Sequence, residues 1–63
     1  MERPKRRALV VDDNEATRLM VQDLLTREGF LTESARNGAE AIELLDADDR
    51  YELIVLDLSL IHI

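Results

Sequence analysis

The sequence predicts an α/β fold built on a parallel sheet, and two observations support this. Two short aliphatic runs, Ala8-Leu9-Val10-Val11 and Leu53-Ile54-Val55-Leu56, each lead directly into acidic residues. Apolar runs of this length are typical of strands that are buried on both faces of a parallel sheet. Between the two runs, apolar residues recur at helical spacing. We therefore expect the order strand, helix, strand, helix, strand, with right-handed crossovers.

The first helix is predicted to begin near Asn14. Asp13 or Asn14 can cap its start, and Glu15 suits the positive end of the helix dipole. Gly29 is expected to end the helix in a left-handed conformation, with Phe30 making the accompanying hydrophobic contact. The stripe at i, i+3, i+4 spacing is expected to be core, and it consists of Met20, Val21, Leu24 and Leu25.

The second strand, residues 31–35, is short and half polar, as an outer strand would be. Asn37-Gly38 could form a hairpin turn, but helix-forming residues follow it, so a second helix is expected. Gly38, Ala41, Ile42 and Leu45 are predicted to lie on one face of this helix. The acidic run in residues 46–50 is interpreted as a solvated helix end rather than a metal site.

Size and charge narrow the possible functions. The 63 residues allow one small domain at most, and they contain no cysteine for a disulfide or a thiolate metal site. The net charge of -6 argues against a nucleic-acid-binding surface, and the basic residues 1–6 are expected to be a solvated tail. No apolar run approaches the roughly 20 residues that a membrane span needs. We therefore expect a soluble, cytoplasmic protein without membrane or direct nucleic-acid contacts.

Carboxylates follow the ends of both aliphatic runs: Asp12 and Asp13 the first, Asp57 the second. The carboxyl ends of parallel strands meet at one edge of a sheet, where ligand sites collect. Carboxylates brought together there need a positive counter-charge, and Mg²⁺ prefers such oxygen ligands. This combination suits phosphoryl transfer, with Asp57 free to become an aspartyl phosphate. On spacing alone, a purely structural role as acidic caps at strand ends stays open.

Four segments together resemble the receiver domain of bacterial two-component response regulators. They are Val10-Val11-Asp12-Asp13-Asn14, Gly29-Phe30, Ala35-Arg36-Asn37-Gly38-Ala39-Glu40-Ala41 and Tyr51-Glu52-Leu53-Ile54-Val55-Leu56-Asp57. The resemblance implies a flavodoxin-like doubly wound parallel sheet of strand order 2-1-3-4-5. Only the first half of that fold, three strands and two helices, is expected in this chain. Thr32 departs from the family pattern, which usually has a larger aliphatic residue at that inward strand position.

The resemblance also implies roles for individual residues. Asp57 would accept phosphate from the phosphohistidine of a histidine kinase or phosphotransfer protein. Asp12, Asp13 and Asp57 would surround Mg²⁺, with the backbone carbonyl of Ser59 as a further ligand. The chain would then be a signalling module of a phosphorelay rather than an enzyme. The family's later strands, with their switch Ser or Thr and their phosphate-contacting Lys, do not follow here, so the chain is expected to be inactive by itself.

Two other functions remain as alternatives. One is an interaction module that keeps the fold without being phosphorylated. The other is a magnesium-dependent phosphohydrolase that forms an aspartyl phosphate. The common form of that hydrolase site has a second Asp two residues after the nucleophile, where this chain has Ser59.

The predicted organisation is a basic tail over residues 1–6, a partial receiver domain over residues 7–58 and a non-native tail over residues 59–63. Leu58-Ser59-Leu60-Ile61-His62-Ile63 is also what CTG TCT CTT ATA CAC ATC would encode, a string that resembles a transposon end used as a DNA-sequencing adapter. Ile61 also stands where the family usually has Pro. We therefore expect the reading frame to enter adapter sequence at or near Leu58, which would make His62 an artefact rather than a ligand. A natural or engineered truncation is the alternative explanation.

Overall fold

The computed structural model describes residues 6–56. Asp57, Ser59 and the expected non-native tail over residues 59–63 lie outside this range, as do residues 1–5 of the predicted basic tail. The elements in chain order are β1 (Arg6–Val11), α1 (Glu15–Arg27), β2 (Phe30–Ala35), α2 (Gly38–Ala47) and β3 (Leu53–Leu56). β1 thus begins at the last residue of the predicted tail.

The strands form one parallel sheet in the order β2-β1-β3, with β1 in the centre. Thr32 of β2 accepts a hydrogen bond from Gln22 of α1 at 3.2 Å, whereas Ala35 packs with Ala41 of α2. Residues an odd number apart on a strand point to opposite faces, so the two helices cover opposite faces of the sheet. This confirms the predicted first half of a doubly wound fold.

Local signals fix the ends of the helices. The side chain of Asn14 accepts a hydrogen bond from the Thr17 backbone N–H at 2.9 Å, and that of Asn37 accepts one from Glu40 N–H at 2.9 Å. Asn14 is therefore the cap of α1, and Asn37-Gly38 opens α2 rather than forming a hairpin. Gly29 follows α1 with a φ of 97°, which confirms the predicted left-handed turn.

The core is centred on β1. Its residues from Ala8 to Val11 are at most 1% exposed. Leu9 and Val11 pack with Ala35 and Ala41, and this cluster is covered by Leu44, Leu45 and Tyr51. β1 is paired on both edges and covered on both faces, as its unbroken aliphatic run predicts.

The prediction that β3 is fully buried is wrong for residues 6–56. Leu56 is 56% exposed, and Leu53 and Ile54 are also exposed. The physical reason is position, because β3 forms an edge of the described sheet while both helices pack on β1 and β2. An aliphatic run therefore indicates the strand correctly here, but not its burial.

The predicted core stripe of α1 also needs correction, and the face predicted for α2 is covered only in part. Met20 and Leu24 of α1 are more than half exposed, and so is Ile42 of α2. Val21 and Leu25 are half-buried and lie on the covered side of α1. In α2, the predicted members Ala41 and Leu45 do reach the core, as buried and half-buried residues. No helix within residues 6–56 is long and apolar enough to cross a membrane.

Candidate functional site

The carboxyl ends of the strands lie level at one edge of the sheet. Val11, the last residue of β1, pairs with Ala35 on one side and with Leu56 on the other. Asp12 comes directly after Val11 and is therefore held at this edge, as predicted. Asp57 is the residue after Leu56 in the sequence, but its position is not among those the structure describes.

Asp12 is held by three hydrogen bonds and is only 5% exposed. Its backbone N–H donates to the Ala35 carbonyl at 3.1 Å, which extends the β1–β2 pairing by one residue. Its Oδ1 accepts from the Asn14 backbone N–H at 2.9 Å. Its backbone carbonyl accepts from Arg18 Nη1 at 3.0 Å. Main chain and carboxylate are thus both fixed before any ligand binds.

The adjacent Asp13 is exposed at the same turn. We refer to Asp12 and Asp13 as the acid pair. Since Asn14 is the helix cap, neither acid is the N-cap of α1. Oδ1 of Asp12 accepts a hydrogen bond, whereas the other oxygen of the same carboxylate accepts none from residues 6–56 and stays available.

The donor set at this edge suits a hard cation. Carboxylate oxygens are the ligands that Mg²⁺ prefers, and Mg²⁺ commonly uses only one or two of them while keeping several waters. Within residues 6–56 there is no group of three or more His, Cys, Asp or Glu side chains placed to hold a metal. The predicted set needs Asp57 and the Ser59 carbonyl in addition to the acid pair, and both lie outside the described residues. Within residues 6–56 the structure forms no pocket.

Glu40 lies at the start of α2, and its carboxylate binds Arg36 rather than lying free for a metal. Its Oε1 accepts from the Arg36 backbone N–H at 2.9 Å, and its Oε2 accepts from Arg36 Nη2 at 2.8 Å. The pKa of Glu40 is lowered, mainly by these hydrogen bonds from Arg36 and to a smaller extent by the charge of Arg18. We therefore assign Glu40 to the turn before α2 rather than to a metal site.

The opposite end of β1 carries a second polar group, the Arg7 cluster. It consists of Arg7, Glu33, Asp48, Arg50 and Tyr51. The Arg7 guanidinium lies 4.6 Å from the centre of the Tyr51 ring and donates to both Glu33 and Asp48. Asp48 follows α2 as its C-cap, so the acidic run there is partly engaged in ion pairs rather than only solvated. The cluster is remote from the acid pair because it joins the amino end of β1 to β2 and to the loop before β3.

The sequence alone did not indicate two of these contacts. Arg18 reaches back to a backbone carbonyl, and Arg7 contacts side chains of β2 and of the segment between α2 and β3. Neither contact follows from helical or strand periodicity, because each depends on how the elements pack. A single sequence carries no signal for the Arg18 contact. It does not show which long basic side chain of α1 reaches the Asp12 carbonyl.

Comparisons with known proteins agree with this geometry. The family described as response regulator receiver domain matches residues 8–63. Response regulator MprA of Mycobacterium ulcerans is 41% identical over 54 residues, which cover 86% of this chain and 23% of that protein. Hybrid signal transduction histidine kinase F of Dictyostelium discoideum is 40% identical over 58 residues, covering 92% of this chain and 5% of the kinase.

Sporulation initiation phosphotransferase F of Bacillus subtilis is 31% identical over 52 residues, which cover 82% of this chain and 41% of that protein. The chain spans less than half the length of each of these curated relatives. No solved structure gives a significant match.

Proposed function

Since the chain belongs to the family of response regulator receiver domains, which are phosphoacceptor modules of two-component signalling, we propose that Asp57 is its phosphoacceptor. The observation that supports this is the register of the sheet, in which Val11 pairs with Leu56. The next residues along these two neighbouring strands are Asp12 and Asp57. The acid pair and the acceptor are thereby assigned to one edge.

Receiver domains generally bind Mg²⁺ where they are phosphorylated, and here we assign its ligands to Asp12, Asp13, Asp57 and the Ser59 backbone carbonyl. Bound Mg²⁺ would neutralise the charge that gathers on the phosphoryl oxygens during transfer. The chain's own part is to hold Asp12 in one orientation through Ala35, Asn14 and Arg18. This fixed geometry removes the need to reorganise the turn when phosphate arrives.

The phosphate donor is a phosphohistidine, because receiver domains in two-component systems interact with histidine kinases or phosphotransfer proteins. In the transfer, a carboxylate oxygen of Asp57 forms a bond to phosphorus while the bond from phosphorus to the histidine nitrogen breaks. The electron pair of the broken bond stays on the imidazole, which takes up a proton. We place this reaction in the cytoplasm, where the donor is made from ATP.

The test uses a fusion that we call the completed receiver. It is the full 63-residue chain, continued after Ile63 with the matching remainder of a complete receiver domain from a relative. The completed receiver and its Asp57→Asn variant are incubated with Mg²⁺ and with acetyl phosphate whose phosphorus is radioactive. We expect stable label on the wild type and none on Asp57→Asn, because the amide cannot act as the nucleophile.

Asp49→Asn is the matched control, since Asp49 is an exposed carboxylate remote from the acid pair, and it should be labelled like the wild type. Label that persists in Asp57→Asn would contradict the proposal. Continuous release of phosphate without accumulation would favour the phosphohydrolase instead. A folded but unlabelled wild type would favour the interaction module.

A further inference from the structure

Arg18 makes a contact that the proposed phosphotransfer does not itself require. It lies in the second turn of α1, is half-buried, and donates from Nη1 to the Asp12 backbone carbonyl at 3.0 Å. The contact spans the turn that joins β1 to α1. A charged donor makes a stronger hydrogen bond to a carbonyl than a neutral one does.

The carbonyl that Arg18 holds belongs to the peptide group that links the two members of the acid pair. Because a peptide group is planar, fixing the direction of the Asp12 carbonyl also fixes the backbone nitrogen of Asp13. The Ala35 carbonyl and the Asn14 N–H hold Asp12 from its other sides. Through Arg18, α1 thus orients the peptide group between Asp12 and Asp13.

The guanidinium binds the backbone rather than the acids. Within residues 6–56, Arg18 forms no ion pair with Asp12 or Asp13 at up to 4.0 Å, although its charge does act on Glu40. The carboxylate oxygens are therefore not occupied by the arginine. An arginine that only neutralised the acids would bind their oxygens directly, as Arg36 does with Glu40.

From this geometry we infer that Arg18 is a positioning residue, which directs the carboxylates of Asp12 and Asp13 toward a shared divalent cation. The inference rests on the proposed function, since it assumes that the acid pair binds a cation. It adds a residue on α1 to the site, outside the set of ligands. Groups that orient metal ligands in this way contribute to affinity without touching the metal.

The sign of one measurement separates positioning from simple electrostatics. A positive charge near a dication repels it, so removing the charge of Arg18 would by itself tighten cation binding. Removing the hydrogen bond would loosen the acid pair and weaken binding. The two explanations therefore predict changes in opposite directions.

The experiment measures Mn²⁺ binding to the completed receiver, from the electron paramagnetic resonance signal of free Mn²⁺. We expect Arg18→Gln, which is too short to reach the carbonyl, to bind Mn²⁺ about tenfold more weakly than the wild type. Arg18→Lys keeps a long cationic donor and should stay within about threefold. Arg27→Gln is the matched control on the same helix, since Arg27 pairs with Asp23 at 2.9 Å on the exposed surface and should bind like the wild type.

Folding is checked for each variant by its thermal transition without metal. Unchanged or tighter binding by Arg18→Gln, with normal binding by the wild type, would overturn the role of Arg18 and leave the proposed function standing. Wild-type protein that binds no Mn²⁺, or binds it equally well after Asp12→Asn, would overturn the proposed metal ligands together with the role of Arg18, whereas the labelling of Asp57 tests the phosphoacceptor separately. If Arg18→Gln does not fold, Arg18→Met replaces it, since it keeps much of the apolar side chain but has no donor: a tenfold loss of affinity supports the positioning role, and unchanged or tighter binding overturns it.

Discussion

At the scale of single residues, the Arg7 cluster shows how charges stabilise the end of the sheet remote from the acid pair. Asp48 accepts hydrogen bonds from Arg50 and from Arg7. These contacts, with Arg50 as the larger cause, hold the pKa of Asp48 well below its ordinary value. Exposed ion pairs contribute little individually. Here one carboxylate is shared by two arginines, and one of these also stacks on Tyr51, so the group acts as a network.

We predict that Asp48→Asn lowers the Tm of the completed receiver at neutral pH, because the amide gives up both ion pairs. The folded-state pKa of Asp48 is depressed, so its stabilising contribution is present above its ordinary pKa of 3.8 and is lost as the pH falls through the lower folded-state value. The difference in Tm between wild type and variant should therefore shrink below about pH 4.

Thermal melts followed by circular dichroism between neutral and acidic pH measure this. Asp49→Asn is the control. It removes the neighbouring carboxylate, which accepts no side-chain hydrogen bond within residues 6–56, and it should melt like the wild type at every pH. A Tm difference for Asp48→Asn that persists unchanged to the lowest pH would contradict the assignment.

At the scale of elements, β1 carries most of the packing. It lies in the centre of the described sheet, and its large side chains Leu9, Val10 and Val11 are the largest fully buried ones of residues 6–56. β2 and β3 each pair with β1, and the side chains of β1 alternate between the faces covered by α2 and by α1. A smaller side chain in β1 therefore weakens the packing of the elements around it.

We predict that Leu9→Ala lowers the free energy of unfolding of the completed receiver by about 2 to 4 kcal/mol, from lost burial and the cavity that remains. Urea denaturation of wild type and variant gives this difference. Leu31→Ala removes the same atoms from β2 at a position that is 51% exposed, and it should cost about 0.5 kcal/mol or less. Equal losses for the two variants would show that β1 is not the packing centre.

The elements also show which features could be predicted from the sequence and which could not. The order of the elements follows from local signals, because Asn14, Asn37 and Gly29 act within a turn of their own positions. Burial of Met20 and Leu24 was predicted wrongly, since periodicity shows which residues share a face but not whether another element covers it. The edge location of the acid pair was predictable from parallel pairing, whereas the Arg18 contact needed the packed structure.

At the scale of the whole molecule, the described residues combine a small core with several exposed large hydrophobic side chains. The buried hydrophobic residues are few, and four of them lie in β1. β3 forms a bare edge with exposed aliphatic side chains within the described sheet. Chains of about 60 residues are marginally stable even when well packed. Edges of this kind promote association with other chains.

We predict that the 63-residue chain by itself is largely unfolded or aggregates, whereas the completed receiver melts cooperatively. Circular dichroism on a sample shown to be monomeric by sedimentation tests this directly. The completed receiver serves as the control, because it contains the same residues together with the further strands and helices of a complete receiver domain. A cooperative thermal transition in monomeric 63-residue chain would contradict the prediction.

The pairing of β1 with β3 has a consequence for the order in which the sheet assembles. Arg6 pairs with Phe30, whereas Ala8 pairs with Leu53, far along the chain. Closing the longer loop costs more entropy, and non-local parallel pairing slows folding. As the chain emerges from the ribosome, β1, α1 and β2 are available as a unit before β3 exists. During that interval the second edge of β1 stays open, so the rate of translation through α2 and β3 affects how long the nascent chain leaves its central strand unpaired on that side.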